Sequence, residues 1–374
     1  MIEVKEVDAN LKSQVNSFVD FQYKLYKDCP QFTPPFRGDI KRMLLRNHPF
    51  FEHSDGTFFI AYNDGEMVGR IAAMENLPFN KHHETKKGQF YYFDCIDEQE
   101  VANALFDRAF EWLHDRGLND AVGPKGFGAF DGYGIQVEGT EHHQMMNMMN
   151  YNFTYYPGLI EKYGFSKEVD FVSCYIAPEK FILPEKVKII AEKVEAKGNF
   201  AVKRFSSKKE LMSWALKIGE AYNNTFVNNW EYYPLSQNEI QFLKDDILAY
   251  ADHRLIKLIT HKDKVIGFLL GFPDVSAAMK RHNGRLTPWA MVDLLRESKR
   301  TKWLSLNGAG ILPEYQGRGG NALLYSEMLK LLDDYSFEHV EQTQMAETAV
   351  QIRRDMVNLG VQPYKNHRVY HKNI

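Results

Sequence analysis

The sequence predicts an α/β protein made of two tandem copies of one unit, each a mixed, mostly antiparallel sheet flanked by helices. Three pairs of segments carry this reading. Residues 58–74, FFIAYNDGEMVGRIAAM, form a strand pattern, a polar turn at Asn63-Asp64-Gly65 and a second strand pattern, and residues 255–272, LIKLITHKDKVIGFLLGF, repeat that form with Asp263 in the turn. Gly69 and Gly267 stand 198 positions apart. Amphipathic helical patterns at 98–117 and 316–335 share Asn-Ala-Leu near their starts, with Asn103 and Asn321 218 apart. LIEKYGF (159–165) and DMVNLGV (355–361) both read as helix ends closed by glycine, and Gly164 and Gly360 are 196 apart. Three nearly equal offsets in the same order are the signature of an internal repeat.

Each copy opens with a helical segment, at 14–27 and 208–223. A hairpin, a further strand, an amphipathic helix, another strand, a short helix and a last strand follow. The larger middle offset has a local source, because the second copy carries GRLTPWAMVDLLRESKR (284–300), whose apolar spacing suits an additional helix. The first copy instead lengthens the stretch from Gly117 to Asn152 with a Gly-, His- and Met-rich insertion. The linker is expected near 166–186, where a strand-like run meets prolines, which divides the chain into domains 1–178 and 179–374.

Composition narrows the class. The 374 residues are 44% hydrophobic, 25% charged and 14% aromatic, ordinary values for a globular protein. No run approaches the roughly 20 apolar residues that a membrane helix needs. A formal net charge of -3 supplies no global basic field for nucleic acid. The first residues lack the apolar core of a secretory signal, and Cys29, Cys95 and Cys174 are odd in number with no metal-type spacing, which suits a reducing cytoplasm.

The strand-loop-helix step in the middle of each copy is where an anion can bind, because a helix N-terminus presents unpaired N–H groups and the positive end of its dipole. In the second copy the strand WLSLNGAGILP (303–313) leads into Gln316-Gly317-Arg318-Gly319-Gly320. The glycines let N–H groups approach a pyrophosphate, and Arg318 adds charge. The strand ends at Pro313, so the backbone of GAGIL is open to an extended, amide-bearing ligand.

At these residues the chain resembles the GNAT superfamily of acyl-CoA-dependent N-acyltransferases. GILPEYQGRGGNALL (310–324) is similar to that family's motif, in which Gln/Arg-x-x-Gly-x-Gly/Ala follows a strand and Val/Ile-x-Pro. Gln316 and Gly319 match, while Asn321 stands where glycine or alanine is usual. HPFFEH (48–53), DCIDEQEVANALFD (94–107) and YYPGLIEKYGF (155–165) look like the tandem two-domain bacterial members. The resemblance implies acetyl-CoA or a longer acyl-CoA as co-substrate, held by Ile311, Leu312, Gln316, Gly317, Arg318, Gly319, Gly320 and Asn321, with transfer to an amine of a small molecule or peptide. It leaves open a non-catalytic acyl-CoA sensor and an aminoacyl-tRNA-dependent aminoacyltransferase, and it leaves the oligomeric state open between monomer and homodimer.

The first copy has Asp97-Glu98-Gln99-Glu100-Val101 at the corresponding loop. Carboxylates there satisfy the helix N–H groups and repel a pyrophosphate, so this copy is expected to have lost cofactor binding. The tyrosine that many members use as thiolate acid falls at Met356 in the second copy and Ile160 in the first, with Ala349 at the accompanying asparagine. Glu347 is the candidate base, and Asn307, at an expected bulge, the candidate contact to the thioester. Asn228, Trp230, Tyr232 and Tyr233, in the connection after the opening helix, offer flat apolar faces beside amides and are the candidate acceptor contacts. His142 and His143 lack metal-ligand spacing, and no metal is expected.

Overall fold

A computed structural model describes residues 1–128, 131–146, 149–227, 229–245 and 251–374, with the backbone alone at 243 and 351. The chain forms β1 (Ile2–Glu6), α1 (Lys12–Leu25), α2 (Arg37–Leu44), β2 (Asp55–Asn63), β3 (Glu66–Glu75), α3 (Leu77–His83), β4 (Lys87–Cys95), α4 (Gln99–His114), β5 (Asp120–Gly123), β6 (Ile135–Glu138), α5 (Tyr156–Lys162) and β7 (Ser166–Ile176). It continues through α6 (Glu185–Ala196), β8 (Ala201–Lys203), α7 (Lys208–Ser213), α8 (Ala215–Thr225), α9 (Gln237–Leu243), β9 (Ile256–His261), β10 (Lys264–Pro273), α10 (Ser276–Arg281), α11 (Pro288–Arg300), β11 (Trp303–Ile311), α12 (Gly320–Asp334), β12 (His339–Ala346), α13 (Val350–Asn358) and β13 (Gln362–Asn373).

Two compact units result. The first contains Met1–Val172, Val275–Glu297 and Lys365–Ile374, and the second contains Ser173–Asp274 and Ser298–Tyr364. The additional helical segment of the second copy is thus mostly part of the first unit, as is the end of the chain.

The repeat is legible in the pairing. In the first unit β1, β2, β3 and β4 follow one another antiparallel, β4 pairs parallel with β5, and β5 is antiparallel to β13. In the second unit β8, β9, β10 and β11 follow one another antiparallel and β11 pairs parallel with β12. The helix between each parallel pair is required, since parallel neighbours need a crossover. Among the elements absent from the sequence expectation are the short opening strands β1 and β8, the short helices α2, α3, α9 and α10, strand β6, and helix α6.

Local chemistry explains the elements. Asp64 and Gly65 take φ of 48° and 84°, the paired positive values that a two-residue hairpin turn demands. On α4 the residues Val101, Ala102, Leu105, Phe106, Ala109, Trp112 and Leu113 recur at three- and four-residue steps and are all buried against the first unit's sheet. A second cluster, with Phe18, Val19, Phe50, Phe58 and Met74, fills the opposite face. In the second unit Leu211, Ala215 and Ile218 pack on Ile256, Leu258, Phe268 and Leu270. Short helices α5 and α13 are followed by Gly164 at φ 100° and Gly360 at φ 73°.

Candidate functional site

The second unit's loop is built between a strand end and a helix start. Leu312 N–H donates to Ile266 O at 2.8 Å and the Gln316 side-chain amide donates to Ile311 O at 3.1 Å, which ties the loop to the end of β11. Gly319 is the N-cap of α12 at φ 88°, with no side chain to accept a hydrogen bond. The first amide beyond it with a carbonyl partner is Leu323 N–H, on Gly319 O at 3.3 Å. The amides of the helix's first turn therefore face outward with the dipole behind them, the arrangement that receives an anion. A Cβ on Gly319 would stand 2.6 Å from Val194 of α6, so the helix missing from the sequence reading backs the loop.

Beside the loop the sheet opens into a wedge. The parallel pairing of β11 with β12 runs from Trp303↔His339 to Leu306↔Gln342, and β11 continues to Ile311 without it. At the divergence β11 carries a bulge, since Leu269 faces Ala309 while Gly271 faces Leu306. The two residues in the gap are Asn307 and Gly308, and Gly308 has φ 128°, which glycine tolerates without strain. Three buried polar atoms around this wedge meet no partner among the described residues: Thr225 Oγ1, Ser305 Oγ and Gln344 Nε2. Thr225 lies against Gly310, where an added Cβ would be 2.4 Å from its Cγ2. Buried polar groups are nearly always paired, so these orphans fit a polar, amide-bearing chain laid along β11. The outward amides above them fit its phosphates.

The other expected residues divide. Ile311, Leu312, Gln316, Gly317, Arg318, Gly319, Gly320 and Asn321 form one continuous strand-loop-helix step. Glu347 sits half-buried in the turn between β12 and α13, and Asn307 is half-buried at the bulge. Trp230 and Tyr232 are half-buried and Tyr233 is buried, in the connection that leaves α8 next to Gly310. Asn228 lies outside the described residues. Met356 is buried on α13. The sequence reading missed Tyr325, whose phenol donates to Asp355, the residue before Met356, at 2.9 Å. Burial and the Asp355 carboxylate hold that phenol well above its usual range, so it keeps its proton. Its only sequence signal was a helix position facing α13.

The first unit has the same step with different contents. Parallel pairing of β4 with β5 stops at Gln89↔Val122, and β4 bulges where Arg70 faces Asp94 but Ala72 faces Tyr91. Tyr92, in that gap, has φ 49°. Cys95, which faces Gly69 as Ile311 faces Gly267, is capped on both sides of its backbone. Its N–H donates to Tyr156 Oη at 3.0 Å, and its carbonyl accepts from Tyr155 Oη at 2.7 Å. Behind it Arg70 donates to Asp94 Oδ2 from Nε at 2.8 Å and from Nη2 at 2.7 Å. Tyr26 bridges Asp94 and Tyr156 at 3.3 and 3.1 Å. Burial outweighs the guanidinium and leaves the Asp94 carboxyl above its ordinary value.

This pairing order, with a bulged strand splayed from a parallel neighbour in each of two units, is the tandem GNAT fold, a mixed α/β sheet flanked by helices. No family model matches the chain. A tandem GNAT protein from the clavulanic acid biosynthesis pathway superposes with a TM-score of 0.55 at 10% identity, over 100% of this chain and 98% of that one. The GCN5-related N-acetyltransferase from Sphaerobacter thermophilus gives 0.51 at 13% identity, over 100% and 95%. In sequence the chain is similar to protein YghO of Escherichia coli K12, 24% identical over 374 residues covering 97% of this chain and 94% of that protein. It is also similar to the bacterial ceramide synthase of Caulobacter vibrioides, 26% identical over 355 residues covering 92% and 91%. Among the described residues no helix is long and apolar enough to cross a membrane, and no group of three or more His, Cys, Asp or Glu is placed to hold a metal ion.

Proposed function

We propose that the protein is an N-acyltransferase that takes an acyl group from acyl-CoA at the α12 loop and passes it to an amine. The observation that carries this reading is the uncapped first turn of α12 beside the splayed end of β11. The amine nitrogen attacks the thioester carbonyl carbon, a C–N bond forms and the C–S bond breaks. One proton leaves the nitrogen and one reaches the sulfur. Glu347 is assigned the first proton, directly or through water, and Asn307 the thioester oxygen. Trp230, Tyr232 and Tyr233 are assigned the acceptor. The relative named ceramide synthase adds amines with long apolar chains, and long acyl groups, to those worth testing.

The test is free-thiol release from acetyl-, octanoyl- and palmitoyl-CoA with short amines, peptides and a long-chain amino alcohol. Amine-dependent release is expected, and Glu347→Gln should lower its rate by about 100-fold with CoA affinity unchanged. A second reading, an acyl-CoA sensor without chemistry, is favoured by one observation: the position of the usual acid is the buried thioether of Met356. CoA binding with no release toward any amine would select it. A chain that binds no CoA would overturn both.

A further inference from the structure

The first unit contains a cleft of about 270 Å³ on the side of β4 where α1 and α2 lie. Its lining mixes two kinds of group. Ile40, Met145, Met149 and Met279 are buried and apolar. Asp131 and Gln22 bring oxygen acceptors. Asp131 Oδ2 accepts from Gly128 N–H at 2.7 Å, and among the described residues no lysine, arginine or histidine forms an ion pair with this carboxylate. Gln22 Oε1 is shielded from solvent and meets no donor among the described residues. The neighbouring phenol is already committed, since Tyr91 Oη accepts from Gly132 N–H at 3.1 Å and donates to Asn150 Oδ1 at 3.3 Å.

We propose that this cleft binds a primary ammonium carrying an apolar chain, with Asp131 and Gln22 taking the ammonium and the methionines taking the chain. The chemistry selects the ligand. The described lining residues include no lysine, arginine or histidine, and an ammonium brings a full positive charge and three N–H donors to its carboxylate. An anion would meet the Asp131 carboxylate, while Asp39 is already paired with Arg42 at 2.6 Å, and a neutral alcohol would leave the Asp131 carboxylate uncompensated. Burial and the Asp39 charge push the Asp131 carboxyl up to about 6, a cost that an ammonium partner removes. Methionine side chains adapt to chains of varied shape, which a more branched lining would not do. The proposal rests on the cleft alone and not on the acyl-transfer reading.

Calorimetry on the full chain tests it, with n-octylamine, octan-1-ol and octanoate as probes and CoA titrated separately. One octylamine per chain is expected, with the alcohol and the carboxylate at least tenfold weaker. Asp131→Asn should weaken octylamine at least tenfold and leave octanol unchanged, and Met279→Trp should exclude all three probes. Equal binding of octylamine and octanol, or an octylamine stoichiometry that Met279→Trp leaves unchanged, overturns the proposal. Should Asp131→Asn not fold by circular dichroism, the probe contrast in the parent chain and Met279→Trp still decide. CoA binding without octylamine binding refutes this inference and spares the acyl-transfer reading, and the reverse result does the opposite.

Discussion

The two wedges of this molecule begin from the same backbone and end in opposite states. In the first unit the end of β4 is occupied from within the chain: Tyr155 and Tyr156 satisfy Cys95, and Arg70 and Asp94 face each other across the strands. In the second, Phe268 and Gly310 stand where Arg70 and Asp94 do, and the strand end is tied by Leu312 N–H to Ile266 O and by the Gln316 amide to Ile311 O, with no tyrosine pair among the described residues closing it. A β-wedge that receives a ligand must leave backbone groups unsatisfied until the ligand arrives, whereas one that serves the fold closes on itself. The loops agree with the wedges. Glu98 precedes α4, with Glu100 in its first turn, and Gly319 precedes α12, with no acidic residue in its first turn.

The contrast breaks most severely at the charge pair. Arg70→Leu should destabilise the first unit by about 3–5 kcal/mol, because it strands the buried Asp94 carboxylate, while Phe268→Leu at the matching position should cost less than about 1.5 kcal/mol. Urea unfolding of both variants measures the difference, and equal costs would mean that the two wedges are energetically alike.

Next in size is the loop. Gly319→Glu places a side chain at φ 88°, against Val194, and puts a carboxylate on the helix N-terminus. CoA affinity should fall by roughly 100-fold or more, from a parent stoichiometry of one CoA per chain. Two equivalent CoA sites in the parent would remove the asymmetry altogether.

A smaller effect is expected at Tyr156→Phe. The ring still fills its place, but Cys95 N–H and Tyr26 lose a partner, a cost of about 1–3 kcal/mol with CoA binding untouched. Any loss of CoA affinity in that variant would connect the first wedge to the cofactor.

The smallest is a pH effect confined to the first unit. Burial, with Arg42 beside it, lowers His48 from 6.5 to about 4. The folded chain resists a proton that the unfolded chain accepts near 6.5, so this group's contribution is present above that value and is lost as pH falls toward about 4. His48→Asn keeps a side-chain acceptor for the Phe50 N–H that His48 now caps at 3.2 Å and should flatten the decline in denaturation midpoint between pH 7 and 5. An unchanged slope would place the acid sensitivity elsewhere.

The sequence by itself determined the repeat and the loop. Hairpin turns, amphipathic periods and glycine stops are local signals, and Gln316 to Gly320 lie next to one another in the chain, so their joint geometry follows from backbone rules alone. The acidic loop of the first copy was legible for the same reason. What occupies that copy's wedge was not, because Arg70, Asp94 and Tyr156 meet only through long-range packing and none of them matches a motif. Helix α6 escaped notice although it supports Gly319 and its Val187, Ile190, Ala191 and Val194 recur at helical spacing, because Glu185–Ala196 begins in the proline-bearing stretch read as the linker. Tertiary structure alone decided where Val275–Glu297 and the last ten residues belong. Strand β13 finds its place beside β5 by backbone pairing, Tyr370 opposite Gly123, and hydrogen bonds between main chains carry no side-chain code that a reading along the chain could see.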